Sequence, residues 1–194
     1  MTPQEVLRFW FGESDFASMQ KWFMGGPAFD AEIKAKFGAT IDAAVAGELD
    51  HWVDTPEGLT ALVIVLDQFT RNVYRKDPRA FAGDERAQHW AHEAFLHRDA
   101  AHWPLVHRYF TAMPFMHAEN VDLQHFGEPI FAGIGAEPKL DGIPGFARDH
   151  RVIVERFGRF PDRNHLLGRP TTDEERAFMH EAKHPWFERG WETS

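Results

Sequence analysis

Thr55-Pro56-Glu57-Gly58-Leu59-Thr60-Ala61-Leu62-Val63-Ile64-Val65-Leu66-Asp67-Gln68-Phe69-Thr70-Arg71-Asn72-Val73 is the stretch on which the fold class turns. Threonine followed by proline marks a helix start, because a threonine caps the first turn and a proline there loses no hydrogen bond. Leu59, Leu62, Val63, Leu66, Phe69 and Val73 then recur at three- and four-residue intervals, the period of an α-helix. Ile64 and Val65 fill other faces, so this helix is expected to be buried on most sides. A helix that needs apolar neighbours all round implies further helices to supply them.

Those helices are visible on both sides. Thr2-Pro3-Gln4-Glu5 is a capping-box sequence leading into Val6, Leu7, Phe9 and Trp10. Phe29, Ile33, Phe37, Ile41 and Val45 build one apolar face that ends near Gly47, with Gly38 expected to split the helix. Gly83-Asp84 opens a helix to about His97, and another surrounds Leu105 to Phe110, interrupted by Pro114. Helical patterns resume from about Asn120 to Gly133, from Phe146 to Phe157, and after a second capping box, Thr172-Asp173-Glu174-Glu175. Strand alternation is nearly absent, since Val152-Ile153-Val154 sits in a helical context. The Pro- and Gly-rich segment 137–145 reads as a connection, so residues 1–194 are expected to form one all-α domain.

Composition narrows the chemistry. The 194 residues are 43% apolar, enough for a sizeable core, with 18 Phe and 7 Trp supplying bulky helix contacts. Cysteine is absent, which excludes disulfides, thiolate metal sites and cysteine nucleophiles, and suits a reducing compartment. Serine occurs only at Ser14, Ser18 and Ser194, none of them in a nucleophile elbow. A net charge of −9 argues against nucleic acid as a partner. The N-terminal segment lacks an apolar signal core, and the longest apolar run, Leu59 to Leu66, is too short to span a bilayer. A cytoplasmic protein without a membrane partner is therefore expected.

Leu66-Asp-Gln-Phe-Thr-Arg-Asn72, Met113-Pro-Phe-Met-His-Ala-Glu119, and His150 with Phe157-Gly-Arg-Phe-Pro-Asp-Arg-Asn164 occur here in that order. With Val6-Leu7-Arg8-Phe9-Trp10-Phe11-Gly12 at the start, they make the chain resemble the bacterial "domain of unknown function 924" family over nearly its whole length. The resemblance implies a tetratricopeptide-like fold, with antiparallel helix pairs stacked as a curved array. It implies no established activity, catalytic residue or cofactor. The family usually carries proline where this chain has Thr70.

The same three stretches hold the polar chemistry. Asp67 and Arg71 are spaced to pair along one helix face, with Gln68 and Asn72 beside them. Arg148, Arg151, Arg156, Arg159, Arg163 and Arg169 make residues 148–169 basic within an acidic chain. The arginine fork suits bidentate carboxylate or phosphate binding. Asp67, Gln68, Arg71, Asn72, Arg156, Arg159, Arg163 and Asn164 are accordingly the candidate binding residues for a small anionic molecule. His117 and His150 are candidate proton-transfer groups, since imidazole titrates near neutral pH. The competing reading is a structural ion-pair network, with the helical array instead binding a peptide through its aromatic residues.

A third reading joins His117, Glu119 and His150 as a two-histidine, one-carboxylate metal set. A single His-x-Glu is a weak signal, and no metal site is assigned. His180-Glu181-Ala182-Lys183-His184 matches the zinc-protease pattern, but Pro185 follows at once and no third ligand histidine lies downstream. His89 and His92, with Glu93, read as a solvated helix face. The tail Pro185-Trp-Phe-Glu-Arg-Gly-Trp191 offers aromatic surface for docking on the body or on a partner.

Overall fold

The computed structural model describes residues 1–12, 21–22 and 25–181. Among the described residues all regular structure is helical and no strand occurs. Helix α1 (Pro3–Phe11) begins with the reciprocal box its sequence announces: Thr2 Oγ1 accepts from Glu5 N, and the Glu5 carboxylate accepts from Thr2 N at 2.7 Å. Helix α2 (Gly26–Val45) buries Phe29, Ile33, Phe37 and Ile41 and runs unbroken through Gly38. The expected split does not occur. A glycine in a helix interior costs roughly 1 kcal/mol, less than one buried phenylalanine or isoleucine contributes on either side of it.

Helix α3 starts at Pro56–Val63, with Thr55 Oγ1 accepting from Gly58 N at 3.1 Å. It continues without a break through a π-helical segment, Ile64–Phe69, into a last α-helical turn, Thr70–Val73. Every residue from Leu59 to Leu66 is fully buried, as the all-round apolar pattern requires. The π segment is not foreshadowed by that pattern. Wider hydrogen-bond spacing there leaves main-chain carbonyls to be taken by side chains. The Thr70 hydroxyl donates to Leu66 O at 2.7 Å and the Arg71 guanidinium to Asp67 O at 2.9 Å.

Helix α4 (Asp84–His97) packs antiparallel to α3, with Arg71 on Asp84 at one end and Arg98 donating to Val53 O at the other. Helix α5 (Leu105–His117) instead runs parallel to α3. Thr60 and Thr111 hydroxyls meet at 3.2 Å, and one to two turns further on His117 meets Asp67 at 2.8 Å. Pro114 does not interrupt α5. Proline removes one helical hydrogen bond, but Tyr109 through Met116 are all buried here, and their packing outweighs that loss. His117 is thus the last residue of α5.

Helix α6 (Val121–Ile134) is capped by Asn120, whose Oδ1 accepts from Leu123 N at 3.0 Å. It pairs antiparallel with α7 (Ile143–Phe157) through His125 on Glu155 at 3.0 Å and Arg151 near Glu128 at 3.6 Å. Gly158, with φ of 69°, ends α7 in the left-handed conformation that glycine adopts freely. Helix α8 (Asp173–Glu181) carries the second reciprocal box, between Thr172 and Glu175. A main core joins α1 through α7, and a smaller cluster of Ile153, Val154 and Phe160 receives Phe178 from α8. No helix among the described residues is long and apolar enough to cross a membrane.

Candidate functional site

The parallel packing of α3 and α5 brings Asp67 and His117 together. Asp67 sits in the π segment with 1% of its surface exposed. The His117 Nδ1–H donates to its two oxygens at 2.8 and 2.9 Å, Gln68 Nε2 donates at 2.6 Å, and Arg71 lies 3.0 Å away. Burial works against ionisation of Asp67, but the Arg71 charge, then His117 and the hydrogen bonds, outweigh it. Its carboxyl is held below the usual carboxylate range and stays ionised. An ionised carboxylate accepts only, so Nδ1 is the protonated nitrogen of the His117 ring. In the neutral ring Nε2 then carries the lone pair, and it has no hydrogen-bond partner among the described residues.

The main chain of His117 is fixed as well. Arg163 donates to His117 O at 3.0 Å, capping the last turn of α5. The Arg163 guanidinium lies between the rings of Phe81 and Phe160, at 4.8 and 4.4 Å from their centroids. Arg71 grips Asp84 with two hydrogen bonds of 2.8 and 2.9 Å, joining the start of α4 to the same network.

In front of this pair opens a cleft of about 520 Å³. Gln68, Arg71, Asn72 and Arg75 line it from the end of α3, and Tyr109, Met113, Met116 and His117 from one face of α5. Residues 139–143, Phe146 and His150 line the opposite side, and Trp22 closes the set. Three cations, Arg71, Arg75 and Lys139, face one carboxylate, Asp141. Arg75 holds Asp30 through Nε at 2.6 Å and one terminal nitrogen at 3.0 Å, which leaves the other terminal nitrogen without a partner among the described residues. Its side chain is 44% exposed. The His150 ring lies 6.3 Å from that of His117, and its Nδ1 bonds Phe146 O at 2.8 Å.

Of the candidate residues named from sequence, Gln68, Arg71, Asn72, His117 and His150 line the cleft and Asp67 stands directly behind it. Arg156, Arg159, Arg163, Asn164 and Glu119 do not line it. Arg156 pairs with Glu174 at 2.9 Å and Arg159 with Glu175 at 2.7 Å. Asn164, fully buried, donates to Glu175 at 3.2 Å and accepts from Arg169. Glu119 holds Arg169 at 2.6 and 2.9 Å and accepts from Phe160 N at 2.8 Å. This network fastens α8 and residues 158–172 to the body. The basic excess of 148–169 is answered by Glu174 and Glu175, which lie just outside that window.

Tyr109, Met113, Met116 and Arg75 escaped the reading of the sequence. Tyr109, Met113, Met116 and His117 recur at four, seven and eight residues along one helix face. That signal was hidden because Pro114 was expected to interrupt the helix. His92 packs its ring on Phe126 at 4.8 Å, whereas His89 is exposed. Among the described residues no group of three or more His, Asp or Glu is arranged to hold a metal ion. Residues 182–191, which include the end of the zinc-protease pattern and the Trp-rich tail, lie outside the described residues.

The family described as "Bacterial protein of unknown function (DUF924)" matches residues 6–183. The chain belongs to this family. A solved structure of a protein of unknown function from Agrobacterium tumefaciens is similar to it at 35% sequence identity, with a TM-score of 0.82, over 93% of this chain and 97% of that one. Comparison with curated proteins finds no match. The cleft therefore belongs to a DUF924 chain whose family description carries no activity.

Proposed function

We propose that the cleft binds a small anionic molecule and that His117, oriented by Asp67, exchanges a proton with it. The observation that carries this reading is the Asp67–His117 pair at 2.8 Å beside an open cleft. A buried carboxylate on Nδ1 fixes the tautomer and steadies the imidazolium that forms when Nε2 takes a proton, the arrangement of an acid–base catalyst. The cationic side of the cleft, with Arg75 keeping donors unused, supplies an anchor for a carboxylate or phosphate.

The test uses inorganic phosphate and small carboxylates as probes, with calorimetry for affinity and nitrogen NMR of the imidazoles for contact. Binding is expected to shift the His117 Nε2 signal and to weaken roughly tenfold in Arg75→Gln, the loss of one charge-assisted contact. If no anion moves that signal at millimolar concentration, the reading fails.

A second reading takes the helices as a tetratricopeptide-like stack that binds a peptide. It is favoured by the order of α3, α4 and α5, in which the outer two run parallel and α4 is antiparallel to α3. Pull-down that returns a partner still bound after Arg75→Gln and His117→Gln would favour it over a small-molecule site.

A further inference from the structure

The register between α3 and α5 orders the cleft along its length. Because the two helices run parallel, Arg75, beyond the end of α3, lies past the Asp67–His117 level in the direction away from Tyr109. Going the other way from His117 come Met116, Met113 and then Tyr109, all facing the cleft. Tyr109 and His117 are eight residues apart on one helix, which spaces their Cα atoms by about 12 Å. Met113 and Met116 between them are flexible, polarizable side chains that adapt to an apolar body.

Tyr109 is the feature the proton-transfer reading leaves unused. It is 1% exposed, yet its hydroxyl has no hydrogen-bond partner among the described residues. The hydroxyl is not one of the polar atoms shut off from solvent without a partner, and Tyr109 lines the cleft. Burial pushes its phenol up from the ordinary value, so it remains a hydrogen-bond donor across the physiological range.

We propose that the ligand is an elongated amphipathic acid, with its acidic group at Arg75, an unbranched apolar body along Met116 and Met113, and a terminal oxygen that accepts from Tyr109. This rests on the anion-binding reading and specifies the rest of the molecule.

The probes are acetate, hexanoate, octanoate and the ω-hydroxy derivative of octanoate, titrated by calorimetry into the wild-type chain and into Tyr109→Phe, with thermal melting to confirm that the variant folds. Affinity is expected to rise roughly fourfold per methylene from acetate to octanoate. The ω-hydroxy acid should lose roughly five- to tenfold in Tyr109→Phe while octanoate keeps its affinity. Acetate and octanoate binding equally would overturn the elongated ligand and leave the anion reading standing. Octanoate and its ω-hydroxy derivative weakening in parallel in Tyr109→Phe would show that Tyr109 only packs, which overturns the terminal contact. Binding of no carboxylate at all would sink the anion reading beneath it.

Discussion

Thr60 and Thr111 join their hydroxyls at 3.2 Å between two parallel helices, and this fully buried contact sets the register that brings Asp67 to His117 further along. Removing one hydroxyl strands the other in an apolar interior. Thr111→Val should lower stability by about 1–3 kcal/mol, whereas Thr60→Val with Thr111→Val together should recover most of that loss. Urea denaturation of the two single variants and the double variant measures the coupling.

Asp67→Asn tests the site itself. The substitution keeps the shape but removes the charge that Arg71 and His117 share, and breaking a buried pair this way costs about 3–5 kcal/mol. It also gives Nδ1 of His117 a neutral neighbour that both donates and accepts. Nitrogen NMR should show a single imidazole tautomer in the wild-type chain and a mixture in the variant.

Acid should release α8 before it unfolds the main core. Glu175, bonded by Arg159, Thr172 N and Asn164, has its carboxyl pulled down to about 2 from an ordinary value of 4.5, chiefly by the Arg159 hydrogen bond. A depressed carboxyl binds fewer protons folded than unfolded, so its contribution is complete above pH 4.5 and is lost as the pH falls towards 2. Hydrogen exchange across Asp173–Glu181 should accelerate through that window relative to α3. In Glu175→Gln the helix should be weakly protected at every pH and show no such step.

Two glycines give opposite outcomes. A Cβ on Gly83 would stand 2.2 Å from Leu66 O, main-chain oxygen that cannot move aside without displacing the π segment. Gly83→Ala should therefore push α4 away from α3, loosen the Arg71–Asp84 clamp and lower the melting temperature sharply. A Cβ on Gly38 meets nothing within 4 Å. Gly38→Ala should raise stability by about 0.5–1 kcal/mol, the gain in helix propensity. Thermal melting of both variants decides the contrast.

What the sequence shows clearly is local. Thr2 with Glu5, Thr172 with Glu175 and Thr55 with Pro56 each signal a helix end through contacts within a few residues, and each is found as read. Pro114 and Gly38 were expected to break helices because propensity is also local, while the burial that overrides it comes from distant neighbours. Asp67 and His117 were both named from sequence. Their pairing was not, since it depends on two helices fifty residues apart packing parallel rather than antiparallel. Nor did the sequence reveal that Arg156 and Arg159 turn towards Glu174 and Glu175, a matching that only the path of residues 158–172 creates.

The π segment has a consequence for the length of the chain. It fits one more residue into a turn than an α-helix does, so α3 carries a residue beyond what its rise requires. Deleting one position there would let the segment close to regular α-helical pitch, with its core intact and the residues beyond it kept in phase. A deletion in the α-helical part before it, Pro56–Val63, would instead turn everything beyond by about 100° and carry Arg71, Asn72 and Arg75 off the cleft. The helix thus tolerates a change of length at its widened turn and nowhere before it, and a descendant that lost a residue earlier would keep the bundle and forfeit the chemistry.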